Sequence, residues 1–158
     1  MKKGLTDYRP EIEYYARGEG LDPNLVEAVV VHESLGGRAD AFRHEPQFYA
    51  TYIKGKAQYR GMVPRRIASS YGLMQVMPTT AEMYGFSVSV PEFLFEPSLN
   101  LKYGCKHLAK MMAWAEHDVA KALGAYNAGQ KNALGDRGRL YAGKVLRVLV
   151  AVEAAQRG

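Results

Sequence analysis

The sequence predicts a mainly α-helical protein with at most a small β-hairpin. Residues that cap helices stand directly before prolines, as at Asp22 and Pro23. Apolar residues in the second half of the chain recur at helical spacing. Glycines follow the helical segments, as at Gly36, Gly37 and Gly85. Together these signals predict one helix after another along the chain.

The bulk composition fits one globular domain over residues 1–158. Hydrophobic residues make up 47% of the chain, which is ordinary for a globular protein. No stretch approaches the roughly 18 consecutive apolar residues of a membrane span. Charged residues also interrupt the N-terminal segment, so we expect no signal peptide in this chain and no stable membrane insertion.

The first strong helix signal covers residues 24–33. Asp22 is a suitable N-cap, Pro23 suits the first helical position, and two glycines at 36–37 end the segment. Nearly every residue between these signals is apolar. An apolar surface almost all round predicts a buried central helix.

The rest of the chain divides into an unusual segment and a helical half. Residues 38–68 are polar and aromatic, and we expect only a short helix near residues 46–54, followed by irregular chain. Further helices are predicted near residues 78–85, after Pro97, at 119–126 and at 140–156. Thr79 and Glu82 have the spacing of a capping box. The last helix would carry Tyr141 in its first turn.

Glu33 is the candidate catalytic residue because it ends the most apolar helix. Burial disfavours its ionised form, and the negative end of the helix dipole repels the charge, so both effects raise its pKa. A raised pKa suits a general acid near neutral pH. The alternative is that Glu33 only pairs with a basic neighbour such as His32 or Arg38.

Several motifs follow Glu33 and Ser34 in the chain. Gly-Leu-Met-Gln occupies residues 72–75, Ala-Tyr-Asn-Ala-Gly occupies residues 125–129, and Tyr141 follows. Each motif alone has an ordinary structural explanation. Their order within one domain length resembles the soluble lytic transglycosylase family, and the resemblance covers about residues 20–150. It implies a lysozyme-like single domain.

The resemblance also implies a role for each matching residue. Glu33 corresponds to the catalytic glutamate, Ser34 to the serine that holds the helix end, and Tyr141 to the tyrosine facing the catalytic carboxyl group. Residues expected at the substrate are Ser34, Ser70, Met74, Gln75, Tyr126, Asn127 and Tyr141. Two serines precede the Gly-Leu-Met-Gln motif, and whether Ser69 or Ser70 contacts substrate stays open.

The activity that the resemblance implies is cleavage of the MurNAc-β-1,4-GlcNAc bond of peptidoglycan with formation of a 1,6-anhydroMurNAc end. Glu33 would act as both acid and base, because the attacking 6-hydroxyl is tethered to the same sugar. A hydrolytic alternative, similar to goose-type lysozymes, needs a second carboxylate, for which Asp40 and Glu45 are the candidates. A non-catalytic cell-wall binding module is a second alternative, against which the presence of Glu33 argues.

The charge balance is basic, with 21 Lys and Arg against 16 Asp and Glu, and favours a polyanionic partner. Peptidoglycan strands fit this balance. Nucleic acid is not expected, because no helix-turn-helix or RNA-binding signature is present. The four histidines lack ligand spacing, so we predict no metal and no cofactor, and we interpret His107 and His117 as helix-surface residues.

The segment at residues 42–49 resembles a variant found in phage and prophage members of the family. This segment indicates a phage-encoded protein, with a bacterial role as the alternative, and we expect a monomer that acts on the cell wall. It would be carried by a virion or released at lysis as an endolysin.

Overall fold

Eight α-helices and one small antiparallel sheet form the part of the chain that the computed structural model describes, residues 4–158. The helices are α1 (Arg9–Gly18), α2 (Pro23–Glu33), α3 (Pro46–Phe48), α4 (Pro64–Ile67), α5 (Pro78–Glu82), α6 (Pro97–Trp114), α7 (Val119–Ala128) and α8 (Asp136–Arg157). Strand β1 (Phe42–His44) pairs with β2 (Ser69–Tyr71), with Arg43 opposite Ser70. The predicted mainly α class is confirmed.

Helix α2 runs through the centre of the fold. The Asp22 carboxylate accepts a hydrogen bond from the Asn24 backbone N–H at 2.9 Å, as the cap signal predicts. Six consecutive residues of the helix, 25–30, are buried, and the helix packs against α1 and α8. Because neighbours cover it on several sides, it tolerates an apolar surface almost all round.

Helix α1 has no clear signal in the sequence, since no side chain caps it and much of its surface is charged. Tertiary contacts stabilise it instead. The buried Arg9 guanidinium bonds the Glu13 carboxylate and the Asn24 side chain, both at 2.9 Å, and pairs with the fully buried Glu27 at 3.4 Å. A local pattern cannot reveal an ion-pair network that joins two helices.

One predicted cap and one predicted helix start differ from the structure, whereas α5 begins at Pro78 as predicted. No side chain caps α5, so the predicted capping box of Thr79 and Glu82 is wrong, and the Glu82 carboxylate instead accepts a bond from the Tyr59 hydroxyl at 2.7 Å. Helix α8 begins at Asp136 rather than near residue 140, which places Tyr141 in its second turn. Gly138 there serves close packing against the Ala133 carbonyl rather than a helix break.

Residues 42–68 form a side lobe with its own small core, rather than mainly irregular chain. The expected helix near residues 46–54 is present as α3 followed by a π-helical turn (Tyr49–Ile53), and a 3₁₀ turn (Ala57–Tyr59) and α4 follow. Ile53, Ile67 and Ala68 are buried together within this lobe. The sequence pattern alone does not show this second core.

Candidate active site

A groove of about 620 Å³ lies where the C-terminal end of α2 meets the side lobe, the loop after β2 and the region from α7 to the start of α8. Its volume lies within the range of about 300–1,000 Å³ that is typical of ligand sites. The predicted site residues that line it are Glu33, Glu45, Ser70, Gln75, Tyr126 and Asn127. The fold therefore brings together side chains from both halves of the chain.

Glu33 ends α2 with its carboxyl group in this groove. The pKa of Glu33 is raised to about 7, mainly by burial, and the negative charge of Glu45 acts in the same direction. Positive charges on Arg43 and Arg137, which also line the groove, act in the opposite direction. A carboxyl group with a pKa near 7 can both give and take a proton at neutral pH.

Tyr141 reaches the same carboxyl group from α8. Its side chain is 6% exposed, and its ring meets the His32 ring edge-on with centroids 5.2 Å apart. The Tyr141 hydroxyl opposes the rise of the Glu33 pKa, although the contact falls short of a complete hydrogen bond. Burial and the Glu33 charge raise the pKa of Tyr141 well above its usual value, so the phenol stays protonated and able to donate.

The loop at residues 72–76 is held in place by Asn100 of α6. The buried Asn100 amide donates to the Tyr71 and Leu94 carbonyls at 2.6 and 2.7 Å, and its oxygen accepts from the Met74 N–H at 2.8 Å. Gly72 has φ +72°, and a Cβ there would lie 2.6 Å from the Asn100 amide nitrogen. Glycine at position 72 therefore allows the backbone to approach Asn100 closely.

Met74 and Ser34 do not face the groove, contrary to the expectation that they contact substrate. The Met74 side chain is fully buried against Gly104, and only its carbonyl serves the site, accepting a bond from the Tyr126 hydroxyl at 2.7 Å. The buried Ser34 hydroxyl donates to the Val30 carbonyl at 2.6 Å. Ser34 thus holds the end of α2, and Met74 positions Tyr126.

The structure places the two candidate serines, and the two candidate second carboxylates, at different distances from the groove. Ser70 lines the groove, whereas the buried Ser69 hydroxyl bonds the Arg65 carbonyl and His44. Glu45 lines the groove and pairs with Arg43 at 3.4 Å. Asp40 is not among the groove residues: its side chain is 76% exposed and pairs with Arg38 at 3.3 Å.

His107 also lines the groove, so its interpretation as a helix-surface residue is wrong. Its Nδ1 lies 2.8 Å from the Tyr84 hydroxyl, and its ring centroid lies 5.5 Å from that of Tyr126. Burial lowers the pKa of His107 to about 4, so the ring is neutral near pH 7. The spacing along α6 could have indicated an inward position for His107. Gly104, three residues before it, and Met111, four residues after it, lie on the same helix face and are buried.

Within residues 4–158, no three His, Cys, Asp or Glu side chains cluster closely enough to hold a metal ion. At the groove, Glu33 provides a carboxyl group with a raised pKa, Tyr141 a protonated phenol and His107 a neutral imidazole. This set suits proton transfer to a bound polar molecule.

Replacing Glu33 by glutamine is expected to stabilise the protein at alkaline pH. The folded-state pKa of about 7 exceeds the ordinary value of 4.5, so the folded state binds more protons between these pH values, and stability falls as pH rises through the window. Urea unfolding of both proteins should show an advantage of the variant that grows by about 2.5 kcal/mol from pH 5 to pH 8. An advantage independent of pH would contradict the burial of an ionisable group at this position.

Comparisons with known proteins agree with this fold. Residues 11–144 match the protein family described as Transglycosylase SLT domain. The structure superimposes with a TM-score of 0.73 on an inactive mutant of the lytic transglycosylase Slt from Pseudomonas aeruginosa, at 20% identity over 96% of this chain and 24% of that one. The 70 kDa soluble lytic transglycosylase from Escherichia coli gives 0.71, at 19% identity over 94% and 24%. This chain spans about a quarter of the length of either protein, and the likeness shows a shared fold.

Proposed function

Because the chain belongs to the transglycosylase SLT domain family, we propose that it is a peptidoglycan lytic transglycosylase with Glu33 as its single general acid and base. The observation that carries the proposal is the Glu33 carboxyl group, whose pKa is raised to about 7, in a groove beside Tyr141. The inactive Pseudomonas aeruginosa relative carries glutamine in place of one glutamate, which is compatible with one essential carboxyl group.

In the proposed reaction, protonated Glu33 gives its proton to the oxygen of the MurNAc-β-1,4-GlcNAc bond, and the bond from that oxygen to the anomeric carbon breaks. Ionised Glu33 then takes the proton from the 6-hydroxyl of the same MurNAc, whose oxygen bonds the anomeric carbon and closes the 1,6-anhydro ring. The nucleophile is tethered to the electrophile, so high effective molarity replaces a second carboxylate.

The neighbouring side chains support both proton transfers. The Tyr141 phenol can complete its hydrogen bond when Glu33 ionises, which stabilises the carboxylate at that moment. Tyr126 and Asn127 lie in the same groove and would position the sugar. Because the Tyr126 hydroxyl is already bonded to the Met74 carbonyl, its ring is the part available to substrate.

Hydrolysis of the same bond is the second candidate, and the position of Glu45 favours it over any route through Asp40. Glu45 lines the groove, and its charge acts on Glu33, whereas Asp40 pairs with Arg38 away from the lining. A carboxylate of this kind could hold an attacking water. Glu45 pairs with Arg43 at 3.4 Å instead of standing free to hold a water, which favours the transglycosylase reaction.

The product distinguishes the two reactions. We expect mass spectrometry of fragments from purified peptidoglycan to find anhydro ends, which are lighter than hydrolysed reducing ends by one water. Glu45→Gln is the matched variant, because hydrolysis through Glu45 would lose about 10²-fold or more in rate, and transglycosylation does not use that carboxylate as a base. Reducing ends from the wild-type protein, lost in Glu45→Gln, would establish hydrolysis instead.

We also propose that residues 1–158 form one domain that acts as a monomer on the cell wall and is phage-encoded. One large hydrophobic core that joins α1, α2, α6 and α8 supports the single domain. The segment at residues 42–49, which resembles phage and prophage sequences, supports the origin. In the described part of the chain, no helix combines the length and apolar character needed to cross a bilayer.

A further inference from the structure

The side lobe presents two aromatic rings to the groove. Phe48 and Tyr52 both line it, and their ring centroids lie 4.9 Å apart with the planes tilted by 42°. Phe48 is half-buried, whereas the Tyr52 side chain is 58% exposed. A single exposed tyrosine needs no explanation, but a pair of rings in a groove with a candidate catalytic carboxyl group does.

The lobe holds these rings on an anchored wall. Phe48, which lines the groove, packs against the lobe's core, in which Ile53 is 3% exposed. Hydrogen bonds tie the lobe to the rest of the fold, from the Tyr59 hydroxyl to Glu82 and from the Arg66 guanidinium to Glu92 at 2.6 Å. The π-helical turn that carries Tyr52 is a rare conformation that occurs frequently at functional sites.

The chemistry of this wall matches an uncharged sugar ring. Aromatic side chains combine a large apolar face with a small loss of conformational freedom on binding, and a pyranose presents C–H groups on one face. Gln47 and Thr51 line the groove beside the rings and supply uncharged hydrogen-bonding groups of the kind that sugar hydroxyls and acetamido groups need. None of these four lobe side chains is charged.

We propose that Phe48 and Tyr52 form a binding subsite for a neutral N-acetylated pyranose of a β-1,4-linked glycan. The inference rests on the proposed function for the identity of the polymer. In that glycan, N-acetylglucosamine is the neutral residue. Through this subsite, the side lobe would bind the glycan strand while Glu33 acts on one glycosidic bond of that strand.

The experiment measures the binding of a hexamer of β-1,4-linked N-acetylglucosamine by calorimetry, in the Glu33→Gln background to prevent cleavage. Adding Tyr52→Ala is expected to weaken the affinity about five- to tenfold, and adding Tyr52→Phe, which keeps the ring, to change it by less than about twofold. Tyr14→Ala is the matched control, because Tyr14 is 74% exposed on α1 and does not line the groove. Thermal unfolding midpoints should be the same for the Tyr52 variants and their parent.

Equal affinities for the Tyr52→Ala and Tyr14→Ala proteins would overturn the proposal, and so would absence of hexamer binding by the Glu33→Gln parent. Loss of affinity in Tyr52→Phe as large as in Tyr52→Ala would assign the effect to the hydroxyl and also overturn it. Failure of the proposed function gives a different result. The wild-type protein would then release no anhydro-ended fragments, regardless of the hexamer affinities of the Tyr52 variants.

Discussion

Replacing Glu33 by glutamine is expected to lower the rate of peptidoglycan cleavage by about 10²- to 10⁴-fold. Glutamine keeps the size of the side chain and can still accept a hydrogen bond from Tyr141, but it has no acidic proton for the glycosidic oxygen. With a pKa of about 7, Glu33 carries its proton in about half of the wild-type molecules at neutral pH. Clearing of a suspension of purified cell walls measures the rate, and mass spectrometry of the released fragments confirms the bond that is cut.

Glu11→Gln is the matched control for this experiment. Glu11 is exposed on α1, lies outside the groove and undergoes the same chemical change, so its variant should clear walls at the wild-type rate. Binding of the N-acetylglucosamine hexamer by Glu33→Gln would show that the variant is folded with an intact groove. If that folded variant clears walls as fast as the wild type, the assignment of Glu33 as the acid is wrong.

Replacing Asn100 by alanine is expected to lower the free energy of unfolding by about 3–5 kcal/mol. Its fully buried side chain satisfies three backbone groups, the Met74 N–H and the carbonyls of Tyr71 and Leu94. Alanine leaves all three without these partners, and each buried polar group left unpaired costs about 1–3 kcal/mol. Urea unfolding followed by circular dichroism measures the change.

The loop at residues 72–76 should also lose its fixed position in the Asn100 variant, with a loss of activity. Asn132→Ala provides the comparison for stability, because within the described residues the exposed Asn132 side chain makes a single hydrogen bond, at 3.5 Å to the Ala128 carbonyl. That variant should unfold within about 0.5 kcal/mol of the wild type. A similarly small change for Asn100→Ala would mean that other contacts hold the loop.

The central helix and its terminal glutamate were predictable because their signals are local. The Asp22 cap, the proline after it and a continuous apolar run lie within a few residues of one another, so the start and the burial of α2 can be predicted from the sequence nearby. Burial of such a helix in turn requires a raised pKa for a carboxyl group at its end, as found for Glu33.

Elements stabilised by distant partners were not predictable in the same way. In α1, Arg9 bonds side chains of α2, and in the first turn of α8, Gly138 lies too close to the Ala133 carbonyl to carry a side chain. In the side lobe, Ile53 and Ile67 meet to form a core although many polar residues separate them in the chain. These contacts depend on tertiary structure, which the periodicity of a short stretch of sequence does not report.

By itself the sequence determined the mainly α class, the helix that ends at Glu33, and the family that the order of its motifs resembles, since all of these depend on local chemistry and order along the chain. Only the tertiary structure decided which side chains share the groove. It turned Ser34 and Met74 into the interior and left Asp40 outside, while it brought His107 and Tyr52 to the groove wall. The reason is physical: the direction in which a side chain points depends on how helices pack against one another, and that packing is non-local.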